Sequence, residues 1–279
     1  MLQRFSGLSI AATILSLPYL SATPVPASSL ATFVSDKGTD TGTCASPADP
    51  CRSFKFALGQ TSPGGEIRAL DPADYGGVTI TKSISLAGVE GAGIFQTHAG
   101  SNAITIDTGP NDAINLRRLT LDGFKTTRNG ILLSSGGSLT NTHCEMRNFT
   151  DNGIDLSPTD ATAVLIAHTV SSNNFDGIFY NVERGPLKGT LDHVTVNNND
   201  NGVVIAGFSV LAVNSTVGNN RDAGFALGSG AVLRLAHSAV TGNGTGVAVG
   251  GTESESEGDN FINGNGTDVS GTLNTFGVN

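Results

Sequence analysis

Gly130-Ile131-Leu132-Leu133, Gly153-Ile154-Asp155-Leu156, Gly177-Ile178-Phe179-Tyr180, Gly202-Val203-Val204-Ile205, Gly224-Phe225-Ala226-Leu227 and Gly246-Val247-Ala248-Val249 repeat one pattern, a glycine followed by alternating positions. The glycines stand 23, 24, 25, 22 and 22 residues apart. Before them runs a second apolar column: Leu121, Met146, Val170, Val196, Val217 and Val240, continued by Ile262. Three residues after that column comes an asparagine, at Asn173, Asn199, Asn220, Asn243 and Asn265, while the two earlier copies place Phe124 and Phe149 there. Apolar residues at every second position mark a strand with one face on a core. A unit of this length holds two or three short strands with their turns. It buries little alone, and a continuous core forms when copies stack about 4.8 Å apart. The recurring asparagines then make a ladder of side-chain amides, each bonded to its copies above and below.

The pattern predicts an all-β fold, a right-handed parallel β-helix solenoid of about nine coils. Leucine-rich repeats share the period and also use an asparagine, but they need a leucine-rich consensus and usually a helical return. Left-handed β-helices repeat on six residues. Neither pattern is present, and the right hand follows from the chirality of parallel crossovers. Composition agrees: 37 Gly, no Trp and 14% charged residues describe a turn-dense β protein. Ahead of the coils, Arg52–Gln60 reads as a short helix that caps the first coil, because an uncovered solenoid end exposes strand edges. The coils begin at Glu66-Ile67-Arg68-Ala69-Leu70. Near the other end, Glu253-Ser254-Glu255-Ser256-Glu257 reads as a protruding loop.

The chain divides into an export signal over 1–27, a cap over 28–63 and the β-helix over 64–279. Arg4 followed by an apolar run from Phe5 to Ala22, then Val25-Pro26-Ala27, has the layout of a cleavable signal. The run is too short and too interrupted, at Pro18, for a stable membrane span. Export predicts a secreted or periplasmic protein. The formal net charge is −9, and cleavage after Ala27 removes Arg4 alone, leaving 14 basic against 24 acidic residues, or −10. Such a surface excludes nucleic acid and anionic membranes as partners, and a polyanionic ligand needs a bridging cation. Cys44 and Cys51, in one Pro-, Ala- and Asp-containing loop, are placed to form a disulfide in an oxidising compartment. Cys144 stands in an inward column and reads as a buried thiol.

The Gly-Ile/Val strands and Asn-rich turns resemble the pectate-lyase-like superfamily of right-handed β-helices over residues 64 to 275. That resemblance implies the fold, and with it a range of activities on acidic polysaccharides as well as binding roles. Its chemical motifs do not carry over. Asp151-Asn152-Gly153-Ile154-Asp155 is faintly similar to the first acidic motif of polygalacturonases, but their Asp-Asp pair, Gly-His-Gly and Arg-x-Lys are missing. The Trp-Ile-Asp-His signature of pectate lyases needs a Trp that this chain lacks.

Parity along the Gly-led strands points the second residue after each glycine outward: Leu132, Asp155, Phe179, Val204, Ala226 and Ala248. Phe179 and Asp155 are the binding candidates on that column, and Asp155 is also the catalytic candidate. The rest is apolar and predicts a covering loop, a partner, or a homo-oligomer packed through it. Tyr180 is a further ring for sugar stacking. In the turns before the glycines, Asp151, Asp176, Asp200 and Asp222 read as one row stacked at coil spacing, where calcium would relieve their repulsion. Arg128 and Arg221 adjoin that row. His143, His193 and His237 fall two coils apart, too distant to share a metal, with His168 one position later and inward. Three roles compete: a surface or periplasmic interaction scaffold binding glycan or protein, a calcium-assisted polysaccharide lyase or hydrolase, and a structural oligomer of spike type.

Overall fold

A computed structural model describes residues 29–95, 99–181, 187–250 and 254–276. The expected export signal lies outside the described residues. Strands recurring along the chain assemble into three parallel sheets of eleven, eight and nine strands that wind into one β-helix. The smallest sheet allows at most eight turns with all three strands among the described residues, against the nine expected.

The Gly-led strands form the third sheet. Ile104, Ile131, Ile154, Ile178, Val203, Phe225 and Val247 lie in register one above the next, and each is fully buried. Apolar side chains repeated at coil spacing pack each against the copy above and below, which is why the alternation survives from copy to copy. In the second sheet the inward column is Ile94, Leu121, Met146, Ser171, Val196, Val217 and Val240.

Ser171 in that column corrects the sequence reading. Val170 pairs with Glu145 and Thr195 and is 36% exposed. The serine is tolerated inside because its hydroxyl donates to the Gly177 carbonyl at 2.8 Å and accepts from Asn174 Nδ2 at 3.1 Å. The ladder therefore begins at Asn174, not Asn173. Asn173 turns outward in a left-handed corner (φ 56°) that Asn148, Asn198 and Asn219 also occupy.

From Asn174 onward the ladder is regular. The Asn199 oxygen accepts from the Asn174 backbone N–H at 2.9 Å and from Asn174 Nδ2 at 3.1 Å. The Asn220 oxygen takes the same two bonds from Asn199, Asn243 from Asn220, and Asn265 from Asn243. At the start Phe149 N–H donates to Asn174 Oδ1, and at the end both Asn265 donors reach Asp268 Oδ1. The Gly-led pattern belongs to the same device. A Cβ on Gly177 would stand 2.9 Å from Asn199 Nδ2 and 2.3 Å from Val196, and one on Gly202 would stand 2.8 Å from Asn220 Nδ2. Neither glycine has positive φ, so close approach of the ladder, not turn conformation, requires it.

The helix runs over Phe54–Gln60 and buries Phe54, Ala57 and Leu58. Ser53 caps it by accepting from Phe56 N–H, and Asp40 holds the Ser53 hydroxyl at 2.7 Å. Cys44 and Cys51 form a disulfide in the same cap. The boundary expected between 63 and 64 falls inside strand Thr61–Ala69, which pairs with Ser29–Val34, so the cap also supplies the outermost strand of the first sheet. Ser254–Glu257 is likewise a strand of that sheet, not a protruding loop. Its Ser/Glu alternation has period two: Ser254 and Ser256 turn inward and Glu255 pairs with Arg234 at 2.8 Å.

Candidate functional site

Three successive strands of the third sheet, Asn129–Ser135, Asn152–Leu156 and Asp176–Tyr180, floor a cleft of about 420 Å³. Leu132, Asp155 and Phe179 stand in register on its outward face. Asp151 and Arg128 approach from the turn before the strands, and Ser157 and Thr159 from the segment after them. The candidates Asp155, Phe179, Asp151 and Asp176 therefore share one cleft. Asp200 and Asp222 do not line it.

Asp155 is only 8% exposed although its position points outward. Its neighbours along the column are the bulky Leu132 and Phe179, which shield it from water. Burial raises its pKa, and the Asp151 charge adds to the effect; hydrogen bonds from Ser157 (2.5 Å) and Asn152 and the charge of Arg128 work against it. Asp176 is also buried, and its pKa is raised by burial and by the charges of Asp151, Asp200 and Asp155. Asn201 Nδ2 donates to it at 3.0 Å. Asp151 is paired with Arg128 at 3.0 Å. Asn152 is 95% buried, and its side-chain oxygen has no hydrogen-bond partner. Half-buried Phe179 presents a ring beside these acceptors.

The four turn aspartates do not form the expected single row. Asp176 pairs in register with Asn152 on one side and Asn201 on the other. One place earlier stand Asp151, Phe175 and Asp200, so the row is broken twice. A carboxylate only accepts hydrogen bonds and repels its own copy, whereas an asparagine above or below it can donate. Asp200 and Asp222 do follow one another, and Arg221 bridges them at 3.1 and 3.2 Å. Among the described residues, His237, Glu257 and Asp259 are the one trio of His, Cys, Asp or Glu whose ligand atoms lie within 4.8 Å of one another. His237 is already bonded to Asp259 there at 2.8 Å.

Two further sequence expectations change and a third holds. His168 does not turn inward: its ring lies between those of His143 and His193, stacked at 4.8 Å from each, and all three backbones are left-handed. Tyr180 is fully buried, as the parity rule requires of the third residue after glycine, so its ring is closed to a ligand. Cys144 is buried as expected, and burial pushes its thiol up to about 12. Asn152 escaped the sequence reading. The signal was a polar residue just before the glycine, part of a short second row in which Asn129 donates to Asn102 and Asn152 N–H donates to Asn129, both at 3.0 Å.

Beyond the cleft the outward column becomes aliphatic. Val204, Ala226 and Ala248 line a shallow apolar groove of about 500 Å³. Among the described residues, no helix is long and apolar enough to cross a membrane.

Residues 77–265 match the family model described as the right handed beta helix region. No curated protein matches the chain in sequence. Among solved structures, the crystal structure of pectate lyase Pel9A is similar, with a TM-score of 0.65 over 90% of this chain and 78% of that one, at 16% identity. That identity supports a common fold and nothing finer.

Proposed function

The chain belongs to the right-handed β-helix family, and from that premise we propose that it is an exported binding protein that holds a glycan in the cleft over Asp155, Asp176 and Phe179. One observation carries the reading. An outward column that is aliphatic from Val204 to Ala248 opens, over three coils, into a cleft with buried carboxylates, an unsatisfied amide oxygen and an aromatic ring. Convergent polar groups beside an apolar surface are what a small set of orienting contacts to a sugar requires. The disulfide in the cap supports an oxidising compartment outside the cytoplasm. A rigid stack of coils suits the scaffold role, because it keeps the cleft geometry without loop ordering on binding.

A catalytic reading has its own support in Asp155 and Asp176. Carboxyls pushed upward by burial and by neighbouring aspartates are poised as acids, in a polysaccharide hydrolase or in a lyase assisted by calcium. The mature protein, screened against a polysaccharide panel with and without calcium, separates the two. Binding with no new reducing or unsaturated ends supports the scaffold. New ends that disappear in Asp155→Asn support the enzyme. No binding to any glycan rejects both and leaves the Val204–Ala248 groove, and self-association through it, as the surface to test.

A further inference from the structure

Three carboxylates and an unpartnered amide oxygen gather in the cleft, with the hydroxyls and amides of Ser134, Ser157, Thr159 and Asn181 around them. Asp155 and Asp176 are buried, and among the described residues neither is in a salt bridge, although the Arg128 charge reaches Asp155; their hydrogen bonds come from neutral Ser157, Asn152 and Asn201. Among the described residues Arg128 is the one cation lining the cleft, and it is engaged by Asp151. The Asn152 oxygen adds a third buried acceptor with nothing donating to it. Beside them lies Phe179, whose ring can take the C–H face of a sugar and attract a cation through its π face.

A ligand that satisfies this set must bring donors and positive charge. An ammonium offers three N–H donors and no acceptor. A sugar carboxylate offers only acceptors, and it would enter against three aspartates on a chain of net charge −9. Resting on the cleft as a glycan site, we propose that its ligand is an amine-bearing glycan, such as an oligomer of glucosamine, and that acidic glycans are excluded from it. The ammonium sits against Asp155 and Asp176, while the pyranose ring lies on Phe179. Asp155 and Asp176 then regain a counter-charge in the place where burial and nearby carboxylates disfavour their ionised forms.

Three tetrasaccharides separate charge from shape: glucosamine, N-acetylglucosamine, which keeps the ring and loses the charge, and galacturonate, which inverts it. Titration calorimetry is run with chelator in about 0.15 M salt, to screen long-range attraction to an acidic surface. The glucosamine oligomer should bind. The acetylated one should bind at least tenfold more weakly, on the order of one lost charge-assisted hydrogen bond, and the galacturonate oligomer should not bind. Asp155→Asn and Asp176→Asn, each melting no lower than wild type, should each weaken glucosamine binding about tenfold. Asp222→Asn, which removes an exposed charge outside the cleft, should leave it unchanged. The proposal is overturned if the acetylated oligomer binds as well, if galacturonate binds with or without calcium, or if Asp222→Asn costs as much as Asp176→Asn. Binding of neutral or acidic glycans alone sinks this inference and keeps the glycan site. Absence of binding to all three and to the wider panel sinks both.

Discussion

Two neighbouring corners of this β-helix stack polar side chains from coil to coil, and they do it differently. At one, five asparagines repeat without interruption and satisfy each other through bonds of 2.9 to 3.1 Å. At the other, aspartates alternate with Asn152, Asn201 and Phe175, or are bridged by Arg221. An amide carries donor and acceptor and can bond to its own copy. A carboxylate carries acceptors alone, so a stack of copies stores repulsion. The first corner is architecture. The second holds unspent electrostatic demand, and the cleft opens beside it.

Placing the chemistry of one corner into the other gives the largest expected effect. Asn199→Asp loses the Nδ2 donation to Asn220 and sets two acceptors face to face inside the core. It should destabilise more than Asn199→Ala or Asn220→Ala, each expected to cost about 1–3 kcal/mol by denaturant midpoint. An Asn199→Asp variant as stable as wild type would remove the distinction between the corners.

The next effects compare aspartates of opposite character. Burial alone would raise the Asp122 carboxyl, but hydrogen bonds from Arg147 (2.8 Å), Phe124 N–H and Asn148 outweigh it and hold the pKa low. Asp122→Asn should cost roughly 1–2 kcal/mol at neutral pH. A lowered pKa gives stability that is present above the ordinary carboxylate range and lost as pH falls through the folded value, so this deficit should shrink in acid. Asp176 has the opposite sign. Its raised pKa means the folded state holds a proton more tightly than the unfolded one, and stability falls as pH rises through the folded value. Asp176→Asn keeps the acceptor for Asn201 and should stabilise by about 0.5–1 kcal/mol at neutral pH. That gain should disappear below the carboxylate range. Thermal melts from pH 3 to 8 (the span of carboxylate titration) would show the two variants converging on wild type in acid from opposite sides.

The smallest effect tests the register. Asn173→Gly, at an exposed left-handed corner, should change stability by under about 0.5 kcal/mol. A loss comparable to that of Asn199→Ala would return Asn173 to the ladder.

The sequence made the architecture legible because identical neighbours report on each other: the Gly-led strands, Asn199 to Asn265, and the parity that exposes Leu132, Asp155 and Phe179 were all readable as columns. Reading failed where a polar residue took an apolar place. Ser171 carries its own partners into the core, so hydropathy chose Val170, and Asn173 was read for Asn174. His168 slipped for a related reason, since corners with positive φ follow backbone shape and not side-chain polarity. The cleft was legible by residue but not by assembly. Asp151, Asp155 and Asp176 come together across two coils whose spacings differ by one residue, and that single step decides which carboxylates meet.

The asparagine row also has a sense of direction. From Asn199 onward every oxygen in it receives a main-chain and a side-chain donor from the same side, so none of those amides can be reversed without setting its NH₂ against two N–H groups. Such a row travels one way, from the Phe149 N–H that opens it to a final member with two donors to place and no next asparagine. What must stand there is a group that accepts twice and gives nothing, and Asp268 is that group. The carboxylate that would be an error in the middle of the line is its full stop. An extra coil bearing its own asparagine would read smoothly anywhere upstream, and one set beyond Asp268 would find the line already closed.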